Sequence, residues 1–314
     1  MPRTIMMFCG QGAQYYQMGR ELHQQNAVFR RAMDRCDQVA GDISGKTVSG
    51  IIYGKPLSDT EGFDRLTETN AALLGVSYAI AMTLLESGVM PDRLLGDSLG
   101  ETIAAVVGGV LSLEDGFRLV FGQARLFEDL SPAGTMVAVL GDPARIQGNR
   151  DVLEFGEIAA INSPFHCVLS LRATHLSALC ATLDRLEMTW ARLPIRYPFH
   201  SAAIATLAEP MARLTSGFRF GPSRWPIISA STAGVVPRFD GDYIWRVMRD
   251  PLKFHDTIKS LAREGEWVLV EAGPSGTLAS FTRQIRAAGV TAWPSIDQFG
   301  QNSRTMQQLV AALP

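Results

Sequence analysis

Apolar residues along this chain fall into short blocks that alternate with longer, one-sided patterns. Residues 4–8 (TIMMF) and 267–271 (WVLVE) run apolar without a polar face, as strands covered on both sides do. Between and around them lie helical patterns at 21–42, 71–85, from 99 to about 110, and from 113 to about 129. Thr69 and Asn70 are placed to cap the helix at 71–85, SLED at 112–115 resembles a capping box, and 54–63 is loop-like. This βαβα order predicts a parallel sheet with helices on both faces. The pattern changes at SPAG, residues 131–134. There follow a strand at 136–140, a helix at 143–152, strands at 157–162 and 166–171, a helix at 173–186 and a strand at 189–195. That βαββαβ order is the ferredoxin-like one and fits an inserted small domain better than a continuation of the main sheet. Afterwards 202–218 is helical, 226–231 a strand, Asp250-Pro251 interrupts a helical region, and GPSG at 273–276 turns into a final helix. The expected fold class is therefore α/β: a large domain from 1–130 and 198–314, and an insert at 131–197.

Composition narrows the function classes. A net charge of −2 and a pI near 6.2 argue against nucleic acid as the main partner. The four cysteines, Cys9, Cys36, Cys167 and Cys180, have no metal-ligand spacing, so reduced thiols and a cytoplasmic location are expected. The N-terminal apolar run is too short for a signal peptide. The apolar run at 71–85 falls below spanning length and carries Ser77 and Tyr78, so a buried helix is expected, with no membrane segment.

The stretch that carries chemistry is LLGDSLGE at 94–101. An apolar strand, then Gly96-Asp97-Ser98-Leu99-Gly100, then a helix, is the context a nucleophile elbow requires. Gly96 and Gly100 remove Cβ atoms from the tight turn, and Ser98 is held at its tip beside the positive end of the next helix. A second strand ends in Gly10-Gln11-Gly12, whose backbone N–H groups suit phosphate or an oxyanion. Taken alone, that glycine pair is better explained by a plain βα turn, and Tyr15 at the third glycine position argues against a dinucleotide fingerprint. A nucleophilic serine needs a base. Of five histidines, His23 and His175 lie on polar helix surfaces, His255 is expected to be structural, and His166 lies near the cleft. His200, at the domain junction in YPFHS, is the favoured base.

Six motifs in order, FCGQGAQ, GDSLGE, AAINSP, YPFHS, DPLKF and EAGPSGTL, resemble the malonyl-CoA:acyl-carrier-protein transacylase family, including acyltransferases of polyketide synthases. The resemblance spans essentially the whole chain. It implies an α/β-hydrolase-like large domain with a ferredoxin-like insert, a Ser98–His200 dyad, and an oxyanion hole from the N–H groups of Gln11 and Leu99. It implies acyl transfer through a Ser98 ester, with no bound cofactor. The substrate would arrive on the phosphopantetheine of an acyl carrier protein or on coenzyme A. Asn162, Asn70 and Phe199 match positions lining the acyl site. Asn70, usually Gln in the family, serves as a helix cap on the alternative reading.

Two departures from the family pattern bear on the substrate. Malonyl-transferring members carry an arginine on the helix after the elbow, and ungapped counting puts Gln123 there. Arg125 points about 200° round that helix and Arg118 fits poorly, so a carboxylated acyl group lacks its partner. Asp97 stands where the family usually has His. It would repel a second carboxylate by roughly 4 kcal/mol at about 4 Å and an effective dielectric of about 20. It would also favour a protonated His200, unless it turns away and only caps the turn. Members without the arginine resemble freestanding acyl hydrolases of trans-acyltransferase polyketide pathways, and others transfer uncharged acyl units. The expected reading is hydrolysis of acetyl or longer groups from carrier proteins. The alternatives are a transferase of such units or, less favoured, of malonyl units, and a non-catalytic carrier-binding relative. A monomer is expected, docking an acidic carrier protein through Arg192, Arg196, Arg246, Arg249 and Lys253, unless these are ordinary surface charges.

Overall fold

Strand β1 (Arg3–Phe8) buries its last four residues and β2 (Arg93–Gly96) its last three, as the continuous apolar runs require of a sheet covered on both faces. The computed structural model describes residues 2–56 and 62–313. Between β1 and β2 lie α1 (Arg20–Gln25), α2 (Ala27–Ser44), α3 (Val48–Tyr53) and α4 (Leu66–Glu86). After β2 come α5 (Leu99–Val107) and α6 (Leu113–Leu130). The chain then forms β3 (Gly134–Leu140), short α7 (Ala144–Gln147) and α8 (Arg150–Leu153), β4 (Glu157–Ser163), β5 (His166–Arg172), α9 (Leu176–Arg185) and β6 (Thr189–Arg192). It returns through α10 (Ala208–Thr215), β7 (Ile227–Ser229), β8 (Gly234–Val235), α11 (Gly241–Arg249) and α12 (Phe254–Glu264). It closes with β9 (Trp267–Glu271), α13 (Thr277–Ile285), β10 (Val290–Pro294) and α14 (Asn302–Ala312).

The larger sheet has the order β10-β9-β1-β2-β7-β8, parallel throughout except for the β7–β8 edge. The smaller has the order β4-β5-β3-β6 and is antiparallel. A mixed α/β fold around a central parallel sheet is thus what the alternating pattern called for. The two sheets meet at residues 250–253. Leu252 accepts from Ile161 at 3.0 Å and donates to Ala159 at 2.8 Å, pairing with β4, while the Lys253 N–H bonds Ala230 after β7 at 2.7 Å.

Several boundaries differ from expectation for physical reasons. The 21–42 pattern breaks at Asn26, whose side chain accepts from Val28 and Phe29 and starts a new helix. The buried helix opens at Leu66, not after Asn70, so Thr69 and Asn70 are interior residues and cap nothing. At 21 residues it is long and apolar enough to cross a bilayer, correcting the expectation that it falls short, but 78% of its most apolar window is buried in the fold. Ser112 does cap α6, accepting from the Asp115 N–H at 3.0 Å. The 143–152 helix is two short turns, 202–207 is a 3₁₀ segment, and the last strand of the insert stops at Arg192. The helix after GPSG is not the last element, because β10 and α14 follow it. Part of the 54–63 loop lies outside the described residues.

Candidate active site

The elbow forms because two glycines let backbone pass through backbone-sized gaps. A Cβ on Gly100 would sit 1.9 Å from the Phe8 carbonyl oxygen, and one on Gly96 would sit 2.3 Å from the Glu101 Cα. The turn is pinned by the Asp97 N–H to Phe8 at 3.0 Å and the Gly100 N–H to Asp97 at 2.9 Å. Ser98 then takes φ 56° and ψ −122° at the N-terminus of α5, the strained position that raises its side chain above the sheet. Gly10, at the end of β1, packs against this turn, where a Cβ would lie 2.9 Å from the Asp97 carbonyl oxygen.

His200 reaches the same point from the other side. Its Nε2 lies 3.0 Å from Ser98 Oγ, and its Nδ1 lies 2.9 Å from the Asp250 carbonyl oxygen. The Nδ1 proton therefore goes to Asp250, which leaves Nε2 as the acceptor facing the hydroxyl. Its backbone N–H bonds Met248 at 2.9 Å, and it holds φ 57°. Burial pushes the imidazole pKa down to about 4, against the smaller upward pull of the Asp250 and Val247 carbonyls. The expectation that Asp97 favours a charged His200 is therefore corrected: desolvation dominates and the ring is neutral at physiological pH.

Around this pair lies a cavity of about 270 Å³ between the two sheets, floored by both glycine turns. Gln11, Leu99, Gln123, Asp97, Asn162, Asn70 and Phe199 all line it. Among the described residues nothing accepts from the backbone N–H groups of Gln11 or Leu99. The Gln11 side chain donates to Thr69 Oγ1 at 2.9 Å and to Asn70 Oδ1, so Asn70 anchors the Gln11 loop from within α4. Gln123 is 5% exposed, whereas Arg125 is exposed outward and Arg118 pairs with Glu114 at 2.6 Å. No lysine or arginine lines the cavity among the described residues. Asn162 donates to His166 Nδ1 at 3.2 Å, and His166 tilts on Phe281 with centroids 4.8 Å apart. Phe199 packs on Phe127 at 4.4 Å.

Asp97 lines the cavity rather than turning away from it. Its Oδ1 is sealed from solvent without a hydrogen-bond partner, and burial pushes its carboxyl up to about 7. Burial thus favours its neutral form, which weakens the like-charge repulsion expected from sequence. The groups that sequence reading did not assign are the carbonyls of Asp250 and Met248, and the buried Glu101 and Tyr243. DPLKF at 250–254 was the signal for Asp250, but a backbone acceptor leaves no side-chain signature.

A serine on an elbow, a neutral histidine oriented by a carbonyl, and two N–H groups beside a cavity are parts for acyl transfer. The acyl transferase domain model matches residues 5–307. The chain belongs to that family. It is 37% identical over 287 residues to "Polyketide biosynthesis acyltransferase homolog BaeD" of Bacillus velezensis, covering 91% of this chain and 88% of that protein. It is 32% identical over 283 residues to "Polyketide biosynthesis acyltransferase homolog PksD" of Bacillus subtilis, covering 90% and 87%. The acyltransferase domain from the second module of the salinomycin polyketide synthase superposes with a TM-score of 0.87 at 28% identity, covering 98% of this chain and 72% of that one. This acyl transferase domain is therefore an enzyme of polyketide-synthase type.

Proposed function

We propose that this acyltransferase hydrolyses non-carboxylated acyl groups, acetyl or longer, from the phosphopantetheine thiol of an acyl carrier protein in polyketide biosynthesis. The observation that carries the substrate class is Gln123 in a cavity with no cation among its described lining residues. Desolvating a carboxylate there without a partner costs several kcal/mol or more. In the first half-reaction Ser98 Oγ attacks the thioester carbonyl carbon while His200 Nε2 takes the hydroxyl proton. The oxyanion accepts from the N–H groups of Gln11 and Leu99. Collapse breaks the C–S bond, the leaving thiolate takes the proton from His200, and Ser98 keeps the acyl group as an ester. In the second half, water gives a proton to His200 and its oxygen to the carbonyl carbon; collapse then breaks the acyl C–Oγ bond, and His200 returns the proton to Ser98 Oγ as the free acid leaves.

The order β4-β5-β3-β6 supports reading residues 131–197 as a ferredoxin-like insert in an α/β-hydrolase-like domain formed by 1–130 and 198–314. The cleft between them would admit the phosphopantetheine arm. Arg192, Arg246 and Lys253 are exposed and suit an acidic carrier, whereas Arg196 is already paired with Asp64 at 2.6 Å. Transfer to a second carrier thiol is the other reading, favoured by the acyltransferase names of both Bacillus relatives. Intact-protein mass spectrometry with acetyl-carrier, longer acyl-carrier and malonyl-CoA tests both. The expected result is an acetyl or longer adduct that decays in water, matched by free acid and deacylated carrier. An adduct discharged only by added carrier thiol makes the protein a transferase, and a persistent malonyl adduct overturns the substrate class. Ser98→Ala should form no adduct, and unchanged carrier turnover by it would exclude the serine route.

A further inference from the structure

One buried carboxyl close to the elbow plays no part in these steps. Glu101 sits in the first turn of α5, fully buried, with its backbone N–H on the Ser98 carbonyl at 2.9 Å. Its Oε1 accepts from Ser229 Oγ at the end of β7 at 2.8 Å, and its Oε2 accepts from the Tyr243 hydroxyl. Ser229 Oγ is itself held by the N–H groups of Ser231 at 3.1 Å and Thr232 at 3.2 Å. Tyr243 is buried on α11, against Phe239 with ring centroids 4.8 Å apart. The space for Glu101 exists because residue 96 lacks a Cβ, which would lie 2.7 Å from the Glu101 Cγ.

The destination of α11 gives this contact its meaning. Met248, in its last turn, accepts the His200 N–H at 2.9 Å, and Asp250, just beyond, accepts the His200 Nδ1–H at 2.9 Å. The helix that carries the nucleophile and the helix end that carries the base's acceptors are thus tied through one carboxyl. Burying a carboxyl is costly, and hydrophobic packing would hold two helices together more cheaply. Two directed hydrogen bonds fix a distance, which apolar contact does not.

We propose that Glu101, with Tyr243, is the positioning brace that sets the separation of Ser98 and His200. Glu101 borders the same cavity, but both its carboxyl oxygens are engaged by Ser229 and Tyr243 rather than by Ser98 or His200. It acts through α11 on the imidazole, and loss of either hydroxyl–carboxyl contact lets the Ser98 Oγ to His200 Nε2 distance drift from 3.0 Å. The proposal rests on Ser98 and His200 being nucleophile and base. Its test therefore uses a small ester that needs neither a carrier nor a choice of acceptor.

The test is the rate of Ser98 acylation by p-nitrophenyl acetate, followed by the nitrophenolate burst and the intact mass. Tyr243→Phe, which keeps the ring packing, and Glu101→Ala should slow acylation by about 10- to 100-fold with KM for the ester little changed. Glu101→Gln should recover most of the rate, because its amide still bonds both hydroxyls. In a His200→Ala background Tyr243→Phe should change the residual rate by less than about twofold. Wild-type acylation by Tyr243→Phe overturns the proposal, as does an equal loss with and without His200. Absence of any adduct in the wild-type protein, with Ser98→Ala indistinguishable from it, would instead remove the underlying assignment of Ser98.

Discussion

Gln123 and Asp97 bring an amide and a carboxyl to the cavity wall. Gln123 presents an amide on the buried face of α6, while the nearby guanidinium of Arg125 faces solvent because two residues of helix rotate it about 200°. Gln123→Arg should raise the malonyl-to-acetyl ratio of kcat/KM by about tenfold or more, read from adduct masses. An unchanged ratio would mean that residue 123 does not meet the acyl terminus. His200 makes a second prediction. Its folded pKa, about 4, lies below its ordinary value of 6.5, so the neutral form persists as pH falls and is lost only near 4. Acylation should therefore stay level from pH 7 to about pH 5 and fall below that. A fall centred near 6.5 would show that the ring is hydrated in solution.

At the scale of elements, the elbow depends on close approach between β1 and the start of α5. The missing Cβ at Gly100 leaves room for the Phe8 carbonyl, so Gly100→Ala should cost about 3 kcal/mol or more in urea unfolding and abolish the burst. The glycine spacing made this turn legible without coordinates. The start of α4 was not legible, because Thr69 and Asn70 have the chemistry of caps. Leu66 is drawn into the helix by packing with Ala124 and Phe127 of α6, which no local pattern displays. The 3₁₀ segment after His200 is similar. Its first N–H, at Ala202, is met by the Glu157 carboxylate at 2.8 Å from β4, a partner 45 residues away. Glu157→Ala should speed hydrogen exchange at Ala202 and slow acylation severalfold. Unchanged exchange would show that the small sheet does not restrain this loop.

For the molecule as a whole, three carboxyls share one end of the parallel sheet, Glu101 and Glu271 buried and Asp97 half-buried with its Oδ1 sealed from solvent. Burial raises Asp97 and Glu271 to about 7 and Glu101 to about 8, each above its ordinary value. A raised folded value means that the native state holds protons which the unfolded chain releases. Their stability contribution is complete below the ordinary carboxyl values and is lost as pH rises through about 7 to 8. Tm should therefore fall between pH 6.5 and 9, and Asp97→Asn should flatten part of the fall. A Tm that rises over this interval would contradict the burial of these groups.

The sequence by itself determined the class of fold, the elbow with Ser98 at its tip, and the buried face of α6 that carries Gln123. Continuous apolar runs, glycine spacing and helical phase are local properties, and each leaves its mark within about twenty residues. Six ordered motifs carried the family, and with it His200. Tertiary structure alone decided how these parts act together. It turned Asp97 into a wall of the cavity with a raised pKa rather than a partner of His200, because desolvation depends on everything packed around a group. It made Asn70 an anchor for Gln11 instead of a cap. It assigned the imidazole's second hydrogen bond to the Asp250 carbonyl and tied Glu101 to Tyr243, contacts spanning 50 and 142 residues. Backbone acceptors and long-range partners have no spacing to read, since the topology that brings them together is written across the whole chain.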